Sequence, residues 1–170
     1  FYHSNTVQER LDRGQTPLSI YNSGIPIDSL YGKSYKGGLI AYLNTTTGAG
    51  FVAAPVDQST AAEWGCSGTL IPGADGMAIG TGAQNTIDIE AGCTEAGIAA
   101  DICANLTLNS YSDWYLPSKE ELNQLYLNLH QKGFGAFAND WYWSSSEHDA
   151  NIAKLQNFSD GGGAIGEKVS

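Results

Sequence analysis

The chain has 170 residues, 42% of them hydrophobic, enough apolar material for one packed domain. Its formal net charge is −10, with 8 Lys and Arg against 18 Asp and Glu. It therefore lacks the basic stripe that neutralises phosphates, which excludes a nucleic-acid binder and disfavours anionic membranes and sulfated glycans. No run of 18 apolar residues occurs, so membrane insertion is not expected.

Charged residues are only 15% while glycine reaches 21 residues, the mark of a loop-rich chain built on turns and aromatic rings. Those rings serve as core or, where exposed, as ligand platforms. The sequence begins without an initiator Met and shows no leader, and it reads as a piece of a longer protein.

Residues 1–35 read as an N-terminal stalk or linker arm, and 36–170 as a binding domain. In the arm, 6–13 is a short helix ended by Gly14. Ser19-Ile20-Tyr21 is then echoed by Ser29-Leu30-Tyr31. Segments 38–44 and 51–55 form a hairpin. From 57 to 83 the chain is a long Gly-rich loop, a length usually functional or held by a crosslink. A helix is expected over 85–90 with Asn85 as its N-cap, and a second over 95–106. Ser118 and Glu121 form an S-x-x-E capping box that opens a helix over 119–131, with Leu122, Leu125, Tyr126 and Leu129 as its apolar stripe. Three strands follow, at 141–146, 152–158 and 164–169. Strands flanking a helical middle make an α+β fold.

Of the three cysteines, Cys103 lies on a helical face among apolar residues, while Cys66 and Cys93 each follow a glycine in turn-like sequence. The reading favours a Cys66–Cys93 disulfide with Cys103 reduced, other pairings remaining as alternatives. Such a bridge would pin the long loop and point to an oxidising compartment.

Catalytic signatures are sparse. The stretch Gly80-Thr81-Gly82-Ala83-Gln84-Asn85 lacks the third glycine and the lysine of phosphate loops. No G-x-S-x-G elbow occurs, and no pair of carboxylates can be named as a glycosidase dyad. His130 closes a helix, where a cation suits the dipole. His148 follows the serine run and falls near a candidate ligand face. That face comprises Trp141 as a stacking ring with Glu147, His148, Asp149, Asn151, Lys154, Gln156 and Asn157. Strand alternation puts Lys154 and Gln156 on one side and Leu155 on the other. Glu147, Asp149 and Asp160 are candidate oxygen ligands for calcium.

Taken in order, several segments carry a family resemblance. They are Tyr35-Lys36-Gly37-Gly38-Leu39-Ile40-Ala41-Tyr42, Trp64-Gly65-Cys66, Gly80 to Thr86, and Leu108-Asn109-Ser110-Tyr111-Ser112-Asp113-Trp114-Tyr115-Leu116-Pro117-Ser118. Tyr142-Trp143-Ser144-Ser145-Ser146-Glu147 and Phe158-Ser159-Asp160-Gly161 complete the set. Over about residues 35–169 the chain resembles the Lcl C-terminal-domain family, the adhesive domain of bacterial collagen-like proteins, related to C-type-lectin-like and formylglycine-generating-enzyme-like folds. The resemblance implies a C-type-lectin-like fold with two main helices and small antiparallel sheets on an extracellular or cell-surface protein. It also implies one further strand beyond those present, so that 36–170 would lack its last strand. All three cysteines precede residue 104, so the reactive cysteines of the enzymatic branch have no counterpart here. The expected function is a non-enzymatic adhesion domain at a bacterial surface or fibre tip, binding a neutral glycan or a protein surface. The alternative is an assembly module capping a homotrimer or filament, with a carbohydrate-active enzyme third.

Overall fold

The computed structural model describes residues 5–169. It is a mixed α/β domain with two separate three-stranded antiparallel sheets and few helices.

The N-terminal segment folds as two one-and-a-half-turn helices, α1 (Val7–Asp12) and α2 (Pro17–Asn22). Thr6 and Glu9 form a capping box at the start of α1, with the Thr6 N–H donating to Glu9 Oε2 at 2.7 Å. Thr16 caps α2, where Pro17 takes the first helical position. A 3-10 turn at Ile27–Ser29 follows. The echoed Ile20 and Leu30 are both fully buried, in one cluster with Leu11, Tyr31, Ile40 and Leu43. The segment is thus packed onto the first sheet.

That sheet runs β1 (Ser34–Tyr35), β2 (Gly38–Leu43), β3 (Gly50–Ala53), in that spatial order. The second comprises β4 (Trp141–Glu147), β5 (Ile152–Asn157) and β6 (Gly163–Glu167), again in sequence order. The three helices between the sheets are α3 (Gly82–Gly92), α4 (Ala99–Ala104) and α5 (Lys119–Asn128). The last of these packs on β2, β4 and β5 and so spans both sheets. Leu129 and Leu125 reach Ala41 and Ala53, while Leu122 and Tyr126 reach Phe158.

Three helix boundaries differ from the sequence reading. The first helix of the middle section begins at Gly82, and Asn85 is not its cap but a buried interior residue. Its amide donates to Gly76 O at 2.6 Å and Ser145 Oγ at 3.1 Å. The early start is possible because Gly82 lets the chain press against α5: a Cβ there would meet Ser118 N at 2.7 Å. The second helix covers only Ala99–Ala104 because Gly97 adopts φ +79, and Asp101 reaches back to accept its N–H at 2.6 Å. The third helix keeps its capping box but its end tightens into a 3-10 turn, His130–Lys132, stopped by Gly133 in the left-handed region.

Cys66 and Cys93 form the disulfide, Cα to Cα 5.8 Å, and Cys103 is free. Burial pushes the Cys103 thiol up to about 11. No described helix is long and apolar enough to cross a membrane.

Candidate functional site

The residues expected to form one polar face are distributed over two ends and two sides of the second sheet. His148, Asp149 and Asn151 lie at the β4–β5 turn, with Lys154 the third residue of β5. Asp149 Oδ1 accepts from Asn151 N at 2.8 Å and Ile152 N at 3.0 Å, so the carboxylate is spent on closing the hairpin. Those bonds, the one to Asn151 foremost, hold its pKa below the usual carboxylate range. Lys154 Nζ lies 3.4 Å from His148 Nδ1. Trp141 and Asn157 pair with each other at the opposite end of the hairpin.

Two members of the set face inward. Gln156 is buried and donates to Asn123 Oδ1 at 2.9 Å and Gly161 O at 3.1 Å. Glu147 is buried against Lys168 and accepts the Ile71 N–H through both oxygens, at 3.0 and 3.1 Å. The cause is a break in strand register between Trp143 and Glu147. Simple alternation fails there, and Ser144, Ser145, Ser146 and Glu147 are buried in succession.

The three calcium candidates are likewise separated. Asp160 occupies the β5–β6 turn, Asp149 the β4–β5 turn, and Glu147 the interior, so their oxygens do not converge among the described residues. The one described group of three ligating side chains is Cys66, Cys93 and Glu95. Its sulfurs are joined in the disulfide, and Glu95 Oε2 accepts the Cys66 N–H at 2.9 Å.

A large concavity lies elsewhere, between the two sheets. It is a groove of about 1040 Å³, just beyond the range of about 300–1,000 Å³ usual for small-molecule pockets. Its walls are β3, with Phe51 and Val52, and the start of β4, with Trp141 and Trp143. Leu122 and Leu125 of α5 contribute to its lining, as do Ile102 and Leu106 in and after α4. Trp141 stands at its rim, 49% exposed.

β3 and β4 are edge strands of their sheets, and on the β4 edge the Ser145 N–H is taken up by Pro117 O at 2.8 Å. Ile40 directs its N–H to Lys33 O and its C=O to Gly32 N, on the β1 side. Its partner across the strands is Val52, which therefore turns its own N–H and C=O away from β2. In the other sheet Phe158 N donates to Asp140 O at 2.8 Å, and in the same register Tyr142 pairs with Gln156. The backbone groups of Trp143, one residue on, consequently point away from β5. Val52 and Trp143, each with its backbone turned away from its paired strand, both line the groove.

The charge around the groove is one-sided. Asp57, Asp113 and Asp140 line it against a single cation, Lys36. Asp57 accepts the Tyr142 hydroxyl at 2.8 Å, and Asp140 Oδ1 accepts the Trp141 N–H at 2.7 Å. Desolvation and the Asp57 carboxylate push the Tyr142 phenol far above its ordinary value. Sequence reading named Trp141 but missed Val52, Phe51 and Trp143. The available signal was the absence of charge from Gly50-Phe51-Val52-Ala53 and Trp141-Tyr142-Trp143. Exposed strand edges in soluble proteins are ordinarily blunted by charged side chains or covered.

No family model matches the chain, and no curated protein matches it.

Proposed function

We propose that the domain is a non-enzymatic recognition module that holds a segment of a partner protein in the groove between β3 and β4. The observation carrying this reading is the pairing of an apolar groove with edge strands on both walls, whose backbones turn away from their paired strands at Val52 and Trp143. The apolar walls favour protein over glycan, because a sugar needs many convergent polar groups. The carboxylates of Asp57 and Asp140 already serve the domain's own backbone and Tyr142. Chemistry finds little support: Glu147 is consumed by Lys168, and Ser144, Ser145 and Ser146 are buried in structural hydrogen bonds.

The sequence resemblance supports placing the domain among C-type-lectin-like adhesive modules of bacterial surfaces. Two small antiparallel sheets with few helices are compatible with that relationship. The disulfide supports an exported location, since such bridges persist in oxidising compartments.

Parallel selection on a random-peptide display library and a glycan array tests the reading. Peptide ligands are expected, lost in Val52→Asp and Trp141→Ala and retained in Lys154→Ala. Glycan ligands that depend on His148 and Lys154 instead would move the site to the β4–β5 turn.

A further inference from the structure

We infer that Cys66, Cys93 and Glu95 form a redox-gated site for a thiophilic divalent metal ion of the zinc class, closed while the two sulfurs are bridged and opened by a thiol reductant. The site is separate from the groove, which none of the three residues lines.

The ligand set is already gathered. The two Sγ atoms and a Glu95 carboxylate oxygen all lie within 4.8 Å of one another. Tetrahedral zinc, with Zn–S of about 2.3 Å and Zn–O of about 2.0–2.2 Å, needs ligands spaced that closely. Two thiolates select zinc over calcium or magnesium, which take oxygen shells. Glu95 is aimed at the site by its Oε2, which accepts the Cys66 N–H at 2.9 Å, as outer-shell donors orient ligating carboxylates. Cys93 is buried, Cys66 half-buried and Glu95 exposed, so the metal would sit near the surface with water in its fourth position.

Both cysteines are held in place without the bridge. Gly65 N donates to Lys168 O at 3.0 Å, Gly68 N to Ala150 O at 2.8 Å and Thr69 N to Cys66 O at 3.1 Å, which brackets Cys66 on both sides. Cys93 N donates to Ile89 O at 2.8 Å at the end of α3, and its side chain belongs to the buried cluster of Trp64, Ile71 and Ile89. Reduction therefore leaves two thiols facing each other beside a carboxylate. Two equivalents of a thiol reductant give the bridge two electrons and two protons and are themselves joined as a disulfide. The metal then displaces both thiol protons, since thiolates are the ligands. Bound metal withholds the sulfurs from reoxidation, so bridge and metal exclude one another.

The test uses the whole 170-residue domain carrying Cys103→Ala, which removes the third thiol. It is reduced with a water-soluble phosphine, which adds no competing thiol, and titrated with Co2+ as a spectroscopic stand-in for zinc. One equivalent is expected to bind with thiolate-to-cobalt charge-transfer absorption that zinc abolishes, and the bridged protein should show none. Glu95→Gln keeps a carbonyl oxygen for the Cys66 N–H and should weaken binding about tenfold or more. Zinc should raise the urea midpoint of the reduced domain, because only the folded chain assembles all three ligands, and the rise should shrink in Glu95→Gln. If reduction alone unfolds the domain, zinc should restore its native tryptophan fluorescence, and failure to do so would overturn the proposal. Equal cobalt affinity with and without the Glu95 carboxylate would overturn it, since two cysteines of a loose chain also bind cobalt. Absence of binding in the reduced, folded domain would overturn it, as would binding seen only when Cys103 is restored.

Discussion

Glu147 accepts the ammonium of Lys168 in a site where the two side chains are 2% and 0% exposed. Lys168 also donates to Thr69 O at 2.7 Å and sits 4.5 Å over the Trp64 ring, whose indole N–H donates to Ser144 O at 2.9 Å. The pair thereby pins the segment after β6, the long loop and β4 to one another. Removing one partner leaves a buried charge without compensation, which typically costs about 3–5 kcal/mol. Lys168→Met is therefore expected to lower unfolding free energy by about that amount in urea titration. The Glu147→Gln/Lys168→Met double variant is expected to lose less than the two single losses combined. Additive losses would show that the pair is not coupled.

Glu121 is a second buried carboxylate with several duties. It completes the Ser118 capping box at 2.9 Å, accepts the Gly80 N–H at 2.8 Å and is approached by the Tyr115 hydroxyl at 3.3 Å. Glu121→Ala strands buried donors, each worth about 1–3 kcal/mol, so a loss of about 3 kcal/mol is expected. Ser118→Ala, which removes a cap, is expected to cost about 1 kcal/mol. Equal losses in the two variants would mean that the Gly80 contact contributes nothing.

The capping box and the disulfide were legible because both are written in local sequence: S-x-x-E before an apolar stripe, and cysteines in glycine turns. Glu121's reach to Gly80 was not, since it crosses forty-one positions. The start of α3 was missed because Gly82 is chosen by close approach to α5, a tertiary demand that outweighs its poor helix propensity. Glu147 read as part of a polar face because the expected strand stopped at 146, whereas β4 runs on to Glu147 through a register break that only pairing reveals. The groove was hidden for a related reason: its walls come from segments some ninety residues apart, and openness of an edge is a property of what lies beside it.

The Cys66–Cys93 bridge closes a sequence separation of 27, and loop entropy alone assigns it about 3 kcal/mol. Reduction is expected to lower stability by about that much, read as a lower urea midpoint with a steeper slope as the unfolded chain expands. An unchanged midpoint would show that the loop is held without its crosslink.

Cys103 should behave oppositely to an exposed thiol. Its folded pKa is raised from 9.0 to about 11 by burial, so the folded state favours the neutral thiol. Stability from this group is full below about pH 9 and is lost as pH climbs through about 11. Alkylation of the native protein at pH 8 is accordingly expected to be slow and to accelerate on unfolding. Rapid native labelling would place Cys103 at the surface.

The open edges of the groove can be examined directly by amide hydrogen exchange in the unliganded domain. Asn44 N donates to Ala49 O at 2.7 Å, and in that register Phe51 is hydrogen-bonded to Tyr42, as Tyr142 is to Gln156. The Phe51 and Tyr142 amides should therefore exchange slowly, while those of Val52 and Trp143, one residue on and facing the groove, exchange much faster. Protection of Val52 and Trp143 equal to that of their neighbours would contradict the open-edged groove on which the proposed recognition depends.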